Sequence, residues 1–200
     1  MRKCFLFDLD GVLVDACHWH YIALNKALKI VKDIEISFDD HVSKFNGLPT
    51  SKKLEMLDIS GADKDLVWNL KQEMTVETIN ECAGVDIKKI ELHKFIKEQG
   101  HVIACVTNSI RLTAELMLSK TGQIDLMDLI VTNQDVKNPK PNPECYLKAI
   151  EKLGFVGKEN MVYIIEDSEK GKTAARGTTA NLIEVNDPSD VTLENLMRYL

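Results

Sequence analysis

Asp8 and Asp10 stand two apart at the end of the apolar run Cys4-Phe5-Leu6-Phe7, and Gly11 follows at once. An unbroken apolar run of this length predicts a strand covered on both faces. The carboxyl ends of such strands form the ligand crevice of open α/β sheets. Residues at i and i+2 share one face of a strand, so both carboxylates address one reacting group if the extended backbone persists through Asp10. Two like charges this close stay ionised only around a cation; otherwise one of them takes a proton. Asp8 is therefore a candidate nucleophile or metal ligand, and Asp10 a candidate general acid/base. The simpler alternative is a strand-end turn whose aspartates bond to the local backbone.

Three further segments repeat the pattern of a buried run closing on polar groups. Val102-Ile103-Ala104-Cys105-Val106 leads into Thr107-Asn108-Ser109, which offers neutral donors beside a helix N-terminus suited to an anion or, as readily, a helix cap. Lys140 sits among prolines in Lys137-Asn138-Pro139-Lys140-Pro141-Asn142-Pro143. Those prolines stiffen the approach to a helix and place an ammonium where it can neutralise a phosphate or simply meet solvent. Met161-Val162-Tyr163-Ile164-Ile165 closes on Glu166-Asp167-Ser168, with Gly171 shortly after. Acids gathered from two strand ends make a hard oxygen site that suits Mg²⁺ with water and phosphate oxygens.

The elements that must hold these groups alternate. Strands are expected over 4–7, 102–107, 129–132, 161–165 and 181–185. Helices are expected over 87–99, 112–121 and 143–153, in a short stretch after Ser168, and from Thr192 onward. Strands alternating with helices predict a parallel sheet, so the fold class is α/β. Between the first two strands there is no buried-strand run, only helical patterns over 17–31, 50–57 and 63–82. Residues 16–84 therefore read as an inserted α-helical domain and residues 1–15 with 85–200 as the sheet domain. Hinges are expected at 14–16 and 84–86, and a helical insert that closes over the sheet would exclude water from it.

The order Phe7-Asp8-Leu9-Asp10-Gly11-Val12, Thr107-Asn108-Ser109, Lys140-Pro141 and Glu166-Asp167-Ser168 resembles the four motifs of the haloacid dehalogenase-like (HAD) hydrolase superfamily. The resemblance spans nearly the whole chain and is strongest to the β-phosphoglucomutase and phosphoglycolate phosphatase group. It implies a Rossmann-like parallel-sheet core of the HAD type with a helical cap, and a phosphoaspartate mechanism. In that mechanism Asp8 is the nucleophile and Asp10 the acid/base. Mg²⁺ is held by Asp8, the Asp10 backbone carbonyl and Asp167, with Glu166 bound directly or through water. Thr107, the Asn108 backbone amide and Lys140 stabilise the transferring phosphoryl group. The second aspartate argues against dehalogenation, because halide leaves without a proton. An alkoxide leaving group gains on the order of 10²–10⁴-fold from a general acid.

The same resemblance assigns His20 to substrate-linked closure and the Gly47-Leu48-Pro49-Thr50 loop to the active-site side of the cap. Thr50 stands about where the mutases carry a phosphate-gripping arginine, with Lys52 and Lys53 nearby. Threonine supplies no charge for a second phosphate, which favours a phosphatase over a mutase. Ser109 is expected near substrate, and Arg111 either contacts substrate or opens a helix facing water. The expected activity is a Mg²⁺-dependent phosphatase of a small phosphorylated metabolite such as a sugar phosphate, phosphoglycolate or a nucleotide. The alternatives are a hexose-phosphate mutase and a non-catalytic module that binds phosphorylated ligands.

Composition fits such an enzyme. The chain has 200 residues, 44% hydrophobic and 28% charged, with a net charge of −6. This excludes a broad nucleic-acid footprint, and no stretch reaches membrane-spanning length. Cys4, Cys17, Cys82, Cys105 and Cys145 lack metal-ligand spacing and read as reduced thiols of a cytoplasmic protein. The N-terminus enters a strand directly, so no signal peptide is expected, and the absence of heptads makes a monomer the default.

Overall fold

Apolar runs too short for helices pair into one sheet. In the computed structural model, which describes residues 1–46 and 48–200, β1 (Cys4–Phe7), β2 (Val102–Val106), β3 (Leu129–Val131), β4 (Val162–Glu166) and β5 (Asn181–Glu184) are all parallel. Their order is β3-β2-β1-β4-β5. Every residue of β1 and β2 is buried, as expected for strands covered on both faces. Alternation divides their side chains. Leu6 joins a core with Tyr146, Ala149 and Ile150 of α7 (Glu144–Lys152) and Ala174 of α8 (Glu169–Arg176). Phe7 instead meets His93 of α5 (Ile87–Glu98) at 5.4 Å between ring centroids. Helices thus cover both sides, and β1 lies where the strand order turns back on itself, between β2 and β4. That is the switch point at which such sheets bind ligands.

The chain divides into two compact units, Met1–Asp15 with Gly84–Leu200, and Ala16–Ala83. In the sheet unit, α6 (Arg111–Lys120) follows β2, and α9 (Leu193–Leu196) lies near the chain end. Local chemistry sets several helix starts. Asp86 accepts from the Lys89 amide to cap α5, and Ser168 accepts from the Gly171 amide to cap α8. A turn after α6 ties the two segments that lead out of and back into the sheet unit. The Gln123 side-chain amide donates to the Leu13 carbonyl at 3.3 Å and to the Thr121 hydroxyl at 2.8 Å, while the Asp86 amide donates to the Thr121 carbonyl.

The second unit is helical. It contains α1 (Cys17–Lys32), α2 (Phe38–Asp40) running into a π-helical turn (His41–Phe45), α3 (Thr50–Met56) and α4 (Gly61–Cys82). Leu24, Ala27 and Leu28 of α1 pack with Phe45, Leu54 and Val67. The α2 segment was not foreseen from the sequence; Ser37 starts it by accepting from the Asp40 amide. The Gly47 that leads the expected substrate loop lies outside the described residues. Among the described residues, no helix is long and apolar enough to cross a membrane. All five cysteines are free thiols, with Cys4, Cys105 and Cys145 buried.

Candidate active site

Strand pairing brings the sequence-distant acids together. Phe7 is level with Cys105 of β2 and Ile165 of β4, so the residue after β1 emerges between the ends of both neighbours. The Asp8 amide donates to the Ile165 carbonyl at 3.0 Å. The Asp8 carboxylate accepts from Lys140 Nζ at 2.8 Å on Oδ1, and the same ammonium donates to Glu166 Oε1 at 2.5 Å and the Val106 carbonyl at 2.7 Å. Lys140 is only 5% exposed and Glu166 is fully buried. A loop lysine that spacing alone left as readily in solvent is thus an internal bridge between two strand ends.

The charges here are out of balance. Burial pushes the Asp8 carboxyl well above the usual carboxylate range, and the Glu166 charge adds to the effect; Lys140 offsets only part of it. Burial opposes the Lys140 charge, yet Asp8 and Glu166 together outweigh it and hold that ammonium protonated. Burial and then Glu166 raise Asp167 to about 6. One carboxylate oxygen from each of Asp8, Glu166 and Asp167 lies within 4.8 Å of the others. Asp167 Oδ1 is buried and has no hydrogen-bond partner among the described residues. Three acids against one ammonium, all oxygen donors with one of them orphaned, fit a hard divalent cation such as Mg²⁺. Glu166 is the most committed of the three, since Oε1 also accepts from the Tyr146 hydroxyl at 2.6 Å and Oε2 faces Ser168 Oγ at 3.3 Å.

Two glycines make room for these acids. Gly11 has φ +88, and a Cβ there would stand 2.2 Å from Asp167 Oδ2. At Gly171 a Cβ would fall 1.9 Å from the Glu166 carboxyl carbon. Neither clearance was read from the sequence, although each glycine sits in a motif with the acid it accommodates or with that acid's neighbour.

The extended backbone did not persist to Asp10. The strand ends at Phe7, and the amides of Leu13 and Val14 both donate to the Leu9 carbonyl in a tight turn, with Asp10 bridged to Val14. Asp10 is aimed by this turn rather than by strand alternation. Its Oδ2 accepts from Ser109 Oγ at 2.7 Å, which joins the first and second motifs. Thr107 is buried, and its hydroxyl accepts from the Ser109 amide at 2.9 Å. The Asn108 side chain does something spacing did not suggest. It donates to the Lys140 carbonyl at 3.1 Å and accepts from the Lys140 amide at 2.9 Å, fixing the backbone that carries the ammonium.

Arg111 opens α6, and its guanidinium pairs with Asp135 at 2.6 Å and Glu115 at 2.9 Å, both in the sheet unit. His20 and Thr50 belong to the helical unit. His20 is half-buried on α1 with Nδ1 3.4 Å from Lys71 Nζ, and Thr50 is the first residue of α3.

The model of the haloacid dehalogenase-like hydrolase family matches residues 5–185. The chain belongs to that family. It is therefore a hydrolase, and its sheet gathers Asp8, Glu166 and Asp167 at the ends of β1 and β4. Among its relatives is the phosphorylated carbohydrates phosphatase of Thermotoga maritima, 29% identical over 180 residues, which are 87% of this chain and 80% of that protein. The validoxylamine A 7'-phosphate phosphatase of Streptomyces hygroscopicus subsp. limoneus is 27% identical over 98% of this chain and 95% of its own length. The fold is shared with the β-phosphoglucomutase of Clostridium difficile at a TM-score of 0.82 and 23% identity, over 100% of this chain and 97% of that one.

Proposed function

We propose that the chain is a Mg²⁺-dependent phosphatase of a small phosphorylated metabolite and works through a phosphoaspartate on Asp8. The observation that carries this reading is the buried Lys140 bridge between Asp8 and Glu166, set beside an orphaned Asp167 oxygen. The relatives named as phosphatases of phosphorylated carbohydrates and of validoxylamine A 7'-phosphate support the reaction class.

In the first half-reaction an Asp8 carboxylate oxygen attacks phosphorus and the bond to the ester oxygen breaks. Asp10 gives that oxygen its proton, releasing the alcohol and leaving an acyl phosphate on Asp8. In the second half-reaction Asp10 takes a proton from water as the water oxygen attacks phosphorus. The bond to Asp8 breaks, inorganic phosphate leaves and both carboxyl groups are restored. Ser109 supports the part given to Asp10 by fixing one of its oxygens. Lys140, the Thr107 hydroxyl and the Asn108 amide are the donors assigned to the transferring phosphoryl oxygens, where fixed charge and dipoles lower the barrier most. Mg²⁺ would be held by Asp8, Asp167 and the Asp10 carbonyl, with Glu166 direct or through water, and when bound supplies positive charge to the acids and the phosphoryl group.

The helical unit is proposed to act as the cap that selects the leaving group, with His20 and Thr50 on the substrate side. Phosphate release from a panel of phosphorylated metabolites, with Mg²⁺ and with chelator, tests the proposal. Release that needs Mg²⁺ and drops on the order of 10⁴-fold or more in Asp8→Asn is the expected result. Release indifferent to that substitution overturns the phosphoaspartate, and turnover that requires an added sugar bisphosphate would instead make the enzyme a mutase.

A further inference from the structure

Tyr146 takes no part in the mechanism above, yet it touches two of its charged groups. It is fully buried in α7, where a phenol needs a hydrogen-bond partner. The acceptor it finds is a carboxylate oxygen, Glu166 Oε1 at 2.6 Å, the same atom that takes Lys140 Nζ at 2.5 Å. Its ring centroid lies 4.8 Å from that ammonium, within cation–π range. One side chain therefore contacts both members of the ion pair.

We infer that Tyr146 is a positioning residue of the phosphoryl-transfer site, whose hydroxyl locks Glu166 as the second anchor of Lys140 and so holds the ammonium on Asp8. The inference rests on the phosphoaspartate reading. Its physical basis is a short, charge-assisted O–H···O⁻ bond of the kind that fixes geometry as well as adding energy. The other Glu166 oxygen has the longer contact to Ser168, 3.3 Å, and the carboxylate lies against Gly171, in the space a Cβ would fill. Without the phenol, Oε1 keeps Lys140 alone and the carboxylate is held by fewer partners. The ammonium then loses a fixed counter-ion on the side away from Asp8. Charge that is badly placed in the transition state lowers kcat, whereas a group that merely fills the core changes stability.

The experiment is a cycle on the full chain with Tyr146→Phe, Glu166→Gln and the double variant, each checked for folding by near-UV circular dichroism. Tyr146→Phe removes one oxygen and keeps the ring. It is expected to lower kcat about tenfold with KM within about twofold. The double variant is expected to be no slower than Glu166→Gln, because Tyr146 acts through Glu166. Mg²⁺ affinity by calorimetry should fall no further in Tyr146→Phe than in Glu166→Gln, since Tyr146 acts through Glu166. Wild-type kcat in Tyr146→Phe, multiplicative losses in the double variant, or a larger loss of Mg²⁺ affinity than Glu166→Gln shows would each overturn the inference while leaving the phosphoaspartate intact. Phosphate release unaffected by Asp8→Asn overturns both.

Discussion

The charges at the end of the sheet and several ion pairs on the surface of the helical unit are held in opposite ways. At the end of the sheet, Asp8, Lys140 and Glu166 are buried and partnered across 26 to 132 residues of sequence. In the helical unit, the ion pairs Lys29–Asp33, Lys44–Asp40 and Lys52–Glu55 are local i,i+3 or i,i+4 contacts open to solvent. Salt screens pairs of the second kind and leaves buried ones largely untouched. The contrast sets fixed, chain-spanning charge at the proposed phosphoryl-transfer site and screened surface charge on the unit proposed as the cap.

Four substitutions probe that division beyond Asp8. The largest effect is expected for Asp10→Asn, which should slow single-turnover release of the alcohol from alkyl phosphates on the order of 10²–10⁴-fold and that of p-nitrophenol much less, since that leaving group needs no proton. Equal single-turnover losses on both esters would take the acid role from Asp10.

Next comes stability against pH. His93, in the sheet unit, is buried without a partner for either ring nitrogen among the described residues. Burial and then the Lys89 charge depress its pKa to about 3. Between about 6.5 and 3 the unfolded chain binds a proton there that the folded chain refuses, so stability falls as pH falls, by about 1.4 kcal/mol per pH unit in that window. His93→Leu should flatten this part of the profile of unfolding free energy. His41 in the helical unit, depressed to about 4 by burial and then by Lys53, should still leave a slope in the same direction. A slope unchanged by His93→Leu would show that His93 is not the group responsible.

The smallest effects are expected in the helical unit. His20→Asn and Thr50→Ala should change kcat/KM by no more than about tenfold while altering the ranking of substrates. A loss as large as that of Asp10→Asn, uniform across substrates, would break the comparison.

Much of the sheet was legible because burial on both faces leaves a plain signature, as in Cys4-Phe5-Leu6-Phe7 and Val102-Ile103-Ala104-Cys105-Val106. Helix limits came within a residue or two, as for α1 against 17–31 and α4 against 63–82. The short α2 and its π-helical turn escaped because three to five residues carry too little periodicity to stand out. Within the site, the residue types at the strand ends were readable. Their partners were not, because these depend on which strands neighbour which. Lys140 meets Asp8 only through the order β2-β1-β4, and Arg111 is claimed by Asp135 from beyond β3. Tyr146 carries no signal of its own in the sequence, and only the fold gives its hydroxyl the Glu166 acceptor. The tight turn at Leu9 likewise depends on backbone bonds that no alternation rule reports.

The knot made by Leu13, Thr121, Gln123 and Asp86 bears on how such a chain can change over time. It pins both ends of a 68-residue stretch, Ala16–Ala83, to one turn of the sheet unit, so from the sheet's side the whole helical unit is a loop that begins and ends at a fixed point. The entropy of closing a loop grows only with the logarithm of its length. Residues can therefore be added, removed or exchanged within the insert at little cost to the framework that holds the acids.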